Sequence, residues 1–219
     1  MTPDVYLAAK GRPLGERGFS MIELMVVVSI IIILTTAAVI GFRGNKRAYA
    51  AEDEAQKILS FFREAHQRAL AQRQAQRITI DRANNLIRLA DMGMLPGGDE
   101  VIINRGVLNA EVTLERPTVG GNPLTLPNAP YNYPSANFDI NGTLDIYFLA
   151  DGSVTNTAGY ASSSPAPISF TLFFSPTPGT APSPEQPTGN LIRAVTLFGP
   201  TASAKVWRFD TNRFIWEVN

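Results

Sequence analysis

The chain has 219 residues, with 19 Lys+Arg against 19 Asp+Glu, one His and no Cys, so it carries no formal net charge at pH 7. That balance gives neither the basic footprint of a nucleic-acid binder nor the acidic bias of a disordered, solvating chain. Without cysteine there is no disulfide framework, thiolate metal site or thiol nucleophile, and a single histidine excludes a His-rich metal cluster.

A short segment with Lys10, Arg12 and Arg17 comes first, and nineteen consecutive uncharged residues follow it from Leu24 to Phe42. As a helix that run is about 28 Å long, close to the ~30 Å hydrocarbon thickness of a bilayer. A buried core helix breaks into an amphipathic stripe. This run does not: its polar interruptions are Ser29, Thr35 and Thr36, which can bond to their own helix. Residues 19–42 are therefore expected to span a membrane. The basic residues before the run place the N-terminus inside, against the pull of Arg43, Lys46 and Arg47 after it. The remaining ~175 residues would then lie outside the cytoplasmic membrane. The competing reading is a cleaved secretory signal, with Leu24–Leu34 as its apolar region and a cut near Thr35-Thr36-Ala37.

The junction reads Gly15-Glu16-Arg17-Gly18-Phe19-Ser20-Met21-Ile22-Glu23. It resembles the prepilin leader of type IV pilins and type II secretion pseudopilins. The resemblance implies removal of leader 1–18 by a prepilin peptidase, with the cut between Gly18 and Phe19. It further implies N-methylation of Phe19 and a role in filament assembly for Glu23, the fifth residue of the mature chain. Major pilins often carry a proline in the span and this chain has none there, which favours a minor pilin or pseudopilin. Physical chemistry points the same way. Gly18 has no side chain to hinder approach to the bond. Glu23 sits one turn inside an apolar helix, where an unpaired carboxylate costs up to roughly 2.5–3.5 kcal/mol at the membrane centre and less near the boundary. Cleavage frees a partner for it, the Phe19 amine; the plainer alternative is that Glu23 snorkels to the headgroups.

From Arg43 to Thr79 there is no proline, and Ala51, Ala55, Ile58, Leu59, Phe62, Ala65, Ala69 and Leu70 recur at offsets of three and four. That is one apolar stripe, so residues 43–76 read as an amphipathic continuation of the helix, lying across a sheet. The whole helix, Phe19–Gln76, would be on the order of 87 Å long. His66 falls among Arg63, Gln67 and Arg68, on the polar side. The period then becomes two. Expected strands are Arg77–Asp81, Leu86–Ala90, Glu100–Asn104, Val107–Glu115, Thr143–Leu149, Ile168–Phe174, Leu191–Phe198, Lys205–Asp210 and Arg213–Val218. Successive strands without helices between them mean an antiparallel β domain over 77–219. Loops 117–137 and 175–190 hold five prolines each and read as exposed insertions, with lateral or tip contacts as the functional alternative. At the C-terminus a two-residue Thr211-Asn212 turn would pair Asp210 with Arg213, Phe209 with Phe214 and Trp207 with Trp216.

The order of helix and β domain, with Ile146–Ser153 and Ala194–Gly199, is similar to the GspH/FimT family. That resemblance implies an α+β pilin-like fold, a long helix packed on a C-terminal antiparallel β domain. It also implies residence in the cytoplasmic (inner) membrane with a periplasmic β domain. Its partners would be the membrane, prepilin peptidase, other pilins or pseudopilins in a filament, and assembly platform proteins. Some FimT-like members bind DNA through a basic Gly-Arg segment; here Pro200-Thr201-Ala202 follow Gly199. Lys205, Arg208 and Arg213 remain as candidate DNA contacts, offset by Asp210 and Glu217, so nucleic acid is not an expected partner. No nucleophile elbow, phosphate loop, dinucleotide fingerprint or paired-histidine motif appears, so no catalytic residue, metal site or cofactor is assigned. Asn141-Gly142-Thr143 and Asp151-Gly152 read as turns. The expectation is a structural pseudopilin or minor pilin and not an enzyme. The alternatives are a DNA-uptake minor pilin and a signal-anchored extracytoplasmic enzyme.

Overall fold

The computed structural model describes residues 20–92, 100–119, 122–176, 191–210, 213 and 215–218. The chain divides into two units, Met1–Arg43 and Gly44–Asn219. Its architecture is α+β: an N-terminal helix followed by antiparallel sheets.

In the N-terminal unit the leader 1–18 and Phe19 lie outside the described residues. Helix α1 (Met21–Gln72) opens there, and its large apolar side chains from Met21 to Leu34 are exposed. Among the described residues no helix is long and apolar enough to cross a membrane. The described side chains of the apolar run end at Thr36, and positions 37–42 of the expected span lie outside them.

In the C-terminal unit α1 ends earlier than its sequence pattern suggests. Arg73 takes a left-handed φ of 54°, the backbone conformation that commonly terminates a helix. Gln76, expected in the helix, instead opens strand β1 (Gln76–Asp81). Strands β2 (Leu86–Asp91), β3 (Val101–Val107), β7 (Thr143–Phe148) and β8 (Val154–Asn156) join it in a sheet of order β3-β2-β1-β7-β8. One face of this sheet buries Ile78, Ile80, Ile87, Leu89, Leu144, Ile146 and Phe148. They pack with Ala51, Ala55, Ile58, Leu59, Phe62, Ala65 and Ala69 of α1 in one core. Two details of the stripe differ from expectation: Leu70 is exposed, and Phe61 is buried beside Phe62.

The expected strand Val107–Glu115 is not continuous. Val107 ends β3, Leu108 turns into the core, and only Val112–Thr113 form strand β4. This segment crosses between sheets, because β4 pairs with β9 (Phe170–Pro176) and not with β3. The second sheet has the order β12-β11-β10-β9-β4, with β10 (Arg193–Phe198), β11 (Ser203–Asp210) and β12 (Ile215–Val218). Its inner face, with Phe170, Leu172, Phe174, Val195, Leu197 and Val206, joins the core around α1. Phe62 touches both sheets: its ring centroid lies 5.8 Å from that of Phe148 and 6.4 Å from that of Phe170.

The outer face of the second sheet is buried as well, which corrects the reading of loop 117–137. That segment contains a small ribbon, β5 (Thr118–Val119) with β6 (Asn122–Pro123). Leu124, Leu126 and Tyr131 then lie over Phe173, Ile192, Ala194, Trp207, Phe209 and Trp216 as a second core. The Trp216 indole N–H donates to the Thr125 carbonyl at 2.8 Å and the Arg116 Nε to the Leu124 carbonyl at 2.7 Å. Apart from that ribbon the segment adds no strand to either five-stranded sheet, but its side chains still close a core. In the other Pro-rich loop Ser175 and Pro176 finish β9, and 177–190 lie outside the described residues.

The C-terminal hairpin keeps its face but changes its register. Phe209 pairs with Trp216 and Trp207 with Val218, and Asp210 faces Ile215. The expected pairs Asp210–Arg213, Phe209–Phe214 and Trp207–Trp216 are thus each displaced by two residues. A one-residue slip would turn every side chain over, whereas a two-residue slip preserves which face each occupies. Short elements that the sequence reading passed over are β8 and a one-turn helix α2 (Thr157–Tyr160), capped by the Asn156 side chain.

Candidate functional site

Of the residues expected to carry function at the N-terminus, Glu23 is the one the structure describes, in the first turn of α1. Gly18 and Phe19 lie outside the described residues. Ser20 is the residue at which the helix is entered, since its carbonyl accepts the Leu24 N–H at 3.1 Å. Glu23 is exposed in the first turn. Ser20 therefore stands at the N-cap and Glu23 three residues on, the spacing of a capping box. The sequence carries that Ser-x-x-Glu signal openly. An acidic side chain in the first turn also complements the positive end of the helix dipole.

Beyond this turn the helix satisfies its own polar groups. Ser29 Oγ donates to the Met25 carbonyl at 2.8 Å, Thr36 Oγ1 to the Ile32 carbonyl at 2.8 Å, and Thr35 Oγ1 to the Ile31 carbonyl. Hydroxyls folded back on their own helix leave an outer surface of Met, Val, Ile and Leu. Such a surface suits apolar surroundings, where each open polar group would cost several kcal/mol.

In the C-terminal unit Lys205, Arg208 and Arg213 do not form one surface. Lys205 and Arg208 are three apart on β11, so they leave opposite faces of the strand. The Lys205 ammonium lies 4.0 Å from the Tyr131 ring centroid and donates to its hydroxyl. Arg213 sits at the hairpin end, within 4.0 Å of Asp210 and 3.7 Å of Glu217.

His66 is half-buried, not fully solvated: it lies beside Gly152 in the turn that joins β7 to β8. In that turn the Asp151 carboxylate accepts the Ser153 hydroxyl and N–H, which hold it below the usual carboxylate range. Asp81 is held low in the same way by the side chain and backbone of Asn84. Both perturbed carboxylates thus have a turn-closing role. Glu54 is a buried acid that sequence reasoning missed. Its Oε1 accepts the Asn109 N–H at 2.8 Å and the Lys57 ammonium at 2.5 Å, while Lys57 also reaches the Val107 carbonyl. The pair pins the β3–β4 crossover to α1. Among the described residues no group of three or more His, Cys, Asp or Glu is placed to hold a metal ion.

A family model, the prokaryotic N-terminal methylation motif, matches residues 14–39. The matched segment includes Gly18, Phe19, Ser20 and Glu23 and most of the apolar run. The chain thus carries a type IV pilin-like leader, the mark of a prepilin-processed pilin-like or pseudopilin protein. No curated protein and no solved structure matches the chain.

Proposed function

We propose that this chain is a structural subunit of a pilin-like filament, a pseudopilin or minor pilin of the GspH/FimT kind, and not an enzyme. The observation that carries the reading is the methylation-motif match at 14–39, which takes in the first part of helix α1, where the large apolar side chains from Met21 to Leu34 are exposed. In this reading prepilin peptidase cuts between Gly18 and Phe19, Phe19 is N-methylated, and residues 19–42 hold the subunit in the cytoplasmic membrane with its β unit outside. Assembly then moves the apolar helices together into a filament, with assembly platform proteins acting at the membrane.

Glu23 has a specific task in that account. Near the membrane boundary its carboxylate can reach water. Among packed helices that escape closes, and the amine freed at Phe19 of a neighbouring subunit is the natural partner. A misplaced neighbour leaves both charges bare, at about 3–5 kcal/mol, so the pair sets axial register. A capping role for Glu23, suggested by its spacing from Ser20, is separable from this one. Glu23→Gln keeps a capping-box side chain at the third helical position and loses the charge. Glu23→Val loses both. Both variants should reach the membrane and be cleaved, and both should be absent from sheared filaments of the host. Normal entry of Glu23→Gln alone would assign Glu23 to the helix cap. Normal entry of both would leave packing as the source of register.

A further inference from the structure

We infer that Asn141 is an acceptor for N-linked glycosylation, an inference that rests on the proposed placement of the β unit outside the cytoplasmic membrane. The pattern Asn-x-Ser/Thr occurs once in the sequence, at Asn141-Gly142-Thr143. A sequon alone means little, since most such triplets are only turns. The structure adds how this one is presented.

The triplet lies in a turn that uses up its own backbone groups. The Asp139 N–H donates to the Thr143 carbonyl at 2.8 Å, and the Gly142 N–H donates to the Asp139 carbonyl at 3.0 Å. One oxygen of the Asp139 carboxylate accepts the N–H of Asn141 at 2.9 Å and that of Thr143 at 2.7 Å. Gly142 supplies the φ of 76° that closes the turn, a conformation side-chain-bearing residues rarely adopt. The Gly142 carbonyl is anchored by the Arg82 N–H at 3.0 Å. The side chains at the tip are left facing solvent. Asn141 is exposed, and among the described residues neither its carboxamide nor the Thr143 hydroxyl makes a hydrogen bond. Among the described residues the other Asp139 oxygen makes no hydrogen bond, which leaves an acidic handle two residues before the asparagine. An acceptor amide, a hydroxyl two residues after it and a carboxylate two residues before it thus share one rigid, outward turn.

A second observation concerns Ile140. It is 100% exposed, the most exposed large apolar side chain among the described residues. A saccharide on the next residue would lay its C–H face over this isolated aliphatic group and remove it from water. The donor is an oligosaccharide carried on a polyprenyl diphosphate, used by a membrane transferase. Asn141 Nδ2 attacks the anomeric carbon and the N–C bond forms. The C–O bond to the diphosphate breaks with its electron pair, and one amide proton goes to solvent. Nothing is oxidised or reduced.

The test is peptide mapping by mass spectrometry of the full chain from membranes of its own host, with the N-terminus sequenced in the same sample. The expected result is a glycan mass on the peptide holding Asn141, lost in Asn141→Gln and in Thr143→Val and retained in Ile140→Ser. An unmodified Asn141 in protein that starts at Phe19, with its β unit open to protease added outside the membrane, overturns the inference and leaves the filament reading intact. A β unit shielded from that protease overturns the placement and the glycosylation together. A glycan mass that persists in Asn141→Gln places the modification elsewhere and also overturns it.

Discussion

The large apolar side chains at the two ends of helix α1 meet opposite fates. Between Met21 and Leu34 the large apolar side chains are exposed, whereas Ile58, Leu59, Phe61 and Phe62 are buried to within a few per cent. The difference lies in what the chain supplies. From Ala50 onward apolar residues keep to one stripe, and two sheets of the same chain cover it. The N-terminal stretch is apolar on every side, so a single packed face could never satisfy it. In the proposed function its cover comes from lipid or from other helices. Burial within the chain marks the part expected to fold alone, and in the proposed function the exposed stretch is the part that assembles.

This contrast can be broken by separating the two parts. A fragment of residues 44–219 should be folded and monomeric without detergent, because its stripe already has a cover. Persistent aggregation, with the 50–69 stripe open to protease, would contradict the comparison. Within that fragment the largest single effect is expected from Phe62→Ala. Phe62 is 1% exposed and bridges both sheets, and removing such a ring costs about 3–5 kcal/mol, readable as a large drop in denaturant midpoint. A loss below about 1 kcal/mol would mean that the helix is not wedged between the sheets.

Gly199→Ala comes next. A Cβ there would overlap the Ile168 carbonyl, and forcing atoms into a filled space costs about 1–3 kcal/mol. Unchanged thermal stability would place the chain around Ile168 further from β10 than described. The smallest effect concerns the Pro-rich cover. Trp216→Phe keeps most of the ring packing against Phe209 and Phe173 but loses the bond to Thr125, about 0.5–1.5 kcal/mol. The segment near Leu124 should then exchange its amide hydrogens faster, while those of β1 and β7 stay unchanged. Equal acceleration in the two sheets would deny the cover its separate role.

The sequence was most legible where one periodicity applied without competition. The stripe from Ala51 to Ala69 announced a helix with one partner face, and alternation in β1, β2 and β7 announced a half-buried sheet. Three features were hidden, each for a physical reason. Alternation repeats every two residues, so it fixed the face of Phe209 and Trp216 but could not tell their register from one displaced by two. Proline content marks a segment poorly suited to a long ladder, and says nothing about whether Leu124 and Tyr131 cover a sheet. The apolar residues of 107–115 fit a strand equally well whether it stays in one sheet or crosses to another. The crossover depends on Glu54 and Lys57, contacts some fifty residues away. At the N-terminus the leader was legible because charge, glycine and a long apolar run must coincide there. The Ser20-x-x-Glu23 capping-box spacing was equally readable, although overshadowed by the Glu23 carboxylate itself.

The account turns on processing ahead of this helix, and the mass and sequence of the mature N-terminus in the host membrane test it most directly. The account predicts a chain that begins at N-methylated Phe19, and a Gly18→Val precursor that is inserted but uncut, about eighteen residues longer. A mature chain that begins at Ala38, or a Gly18→Val protein trimmed normally, would contradict it.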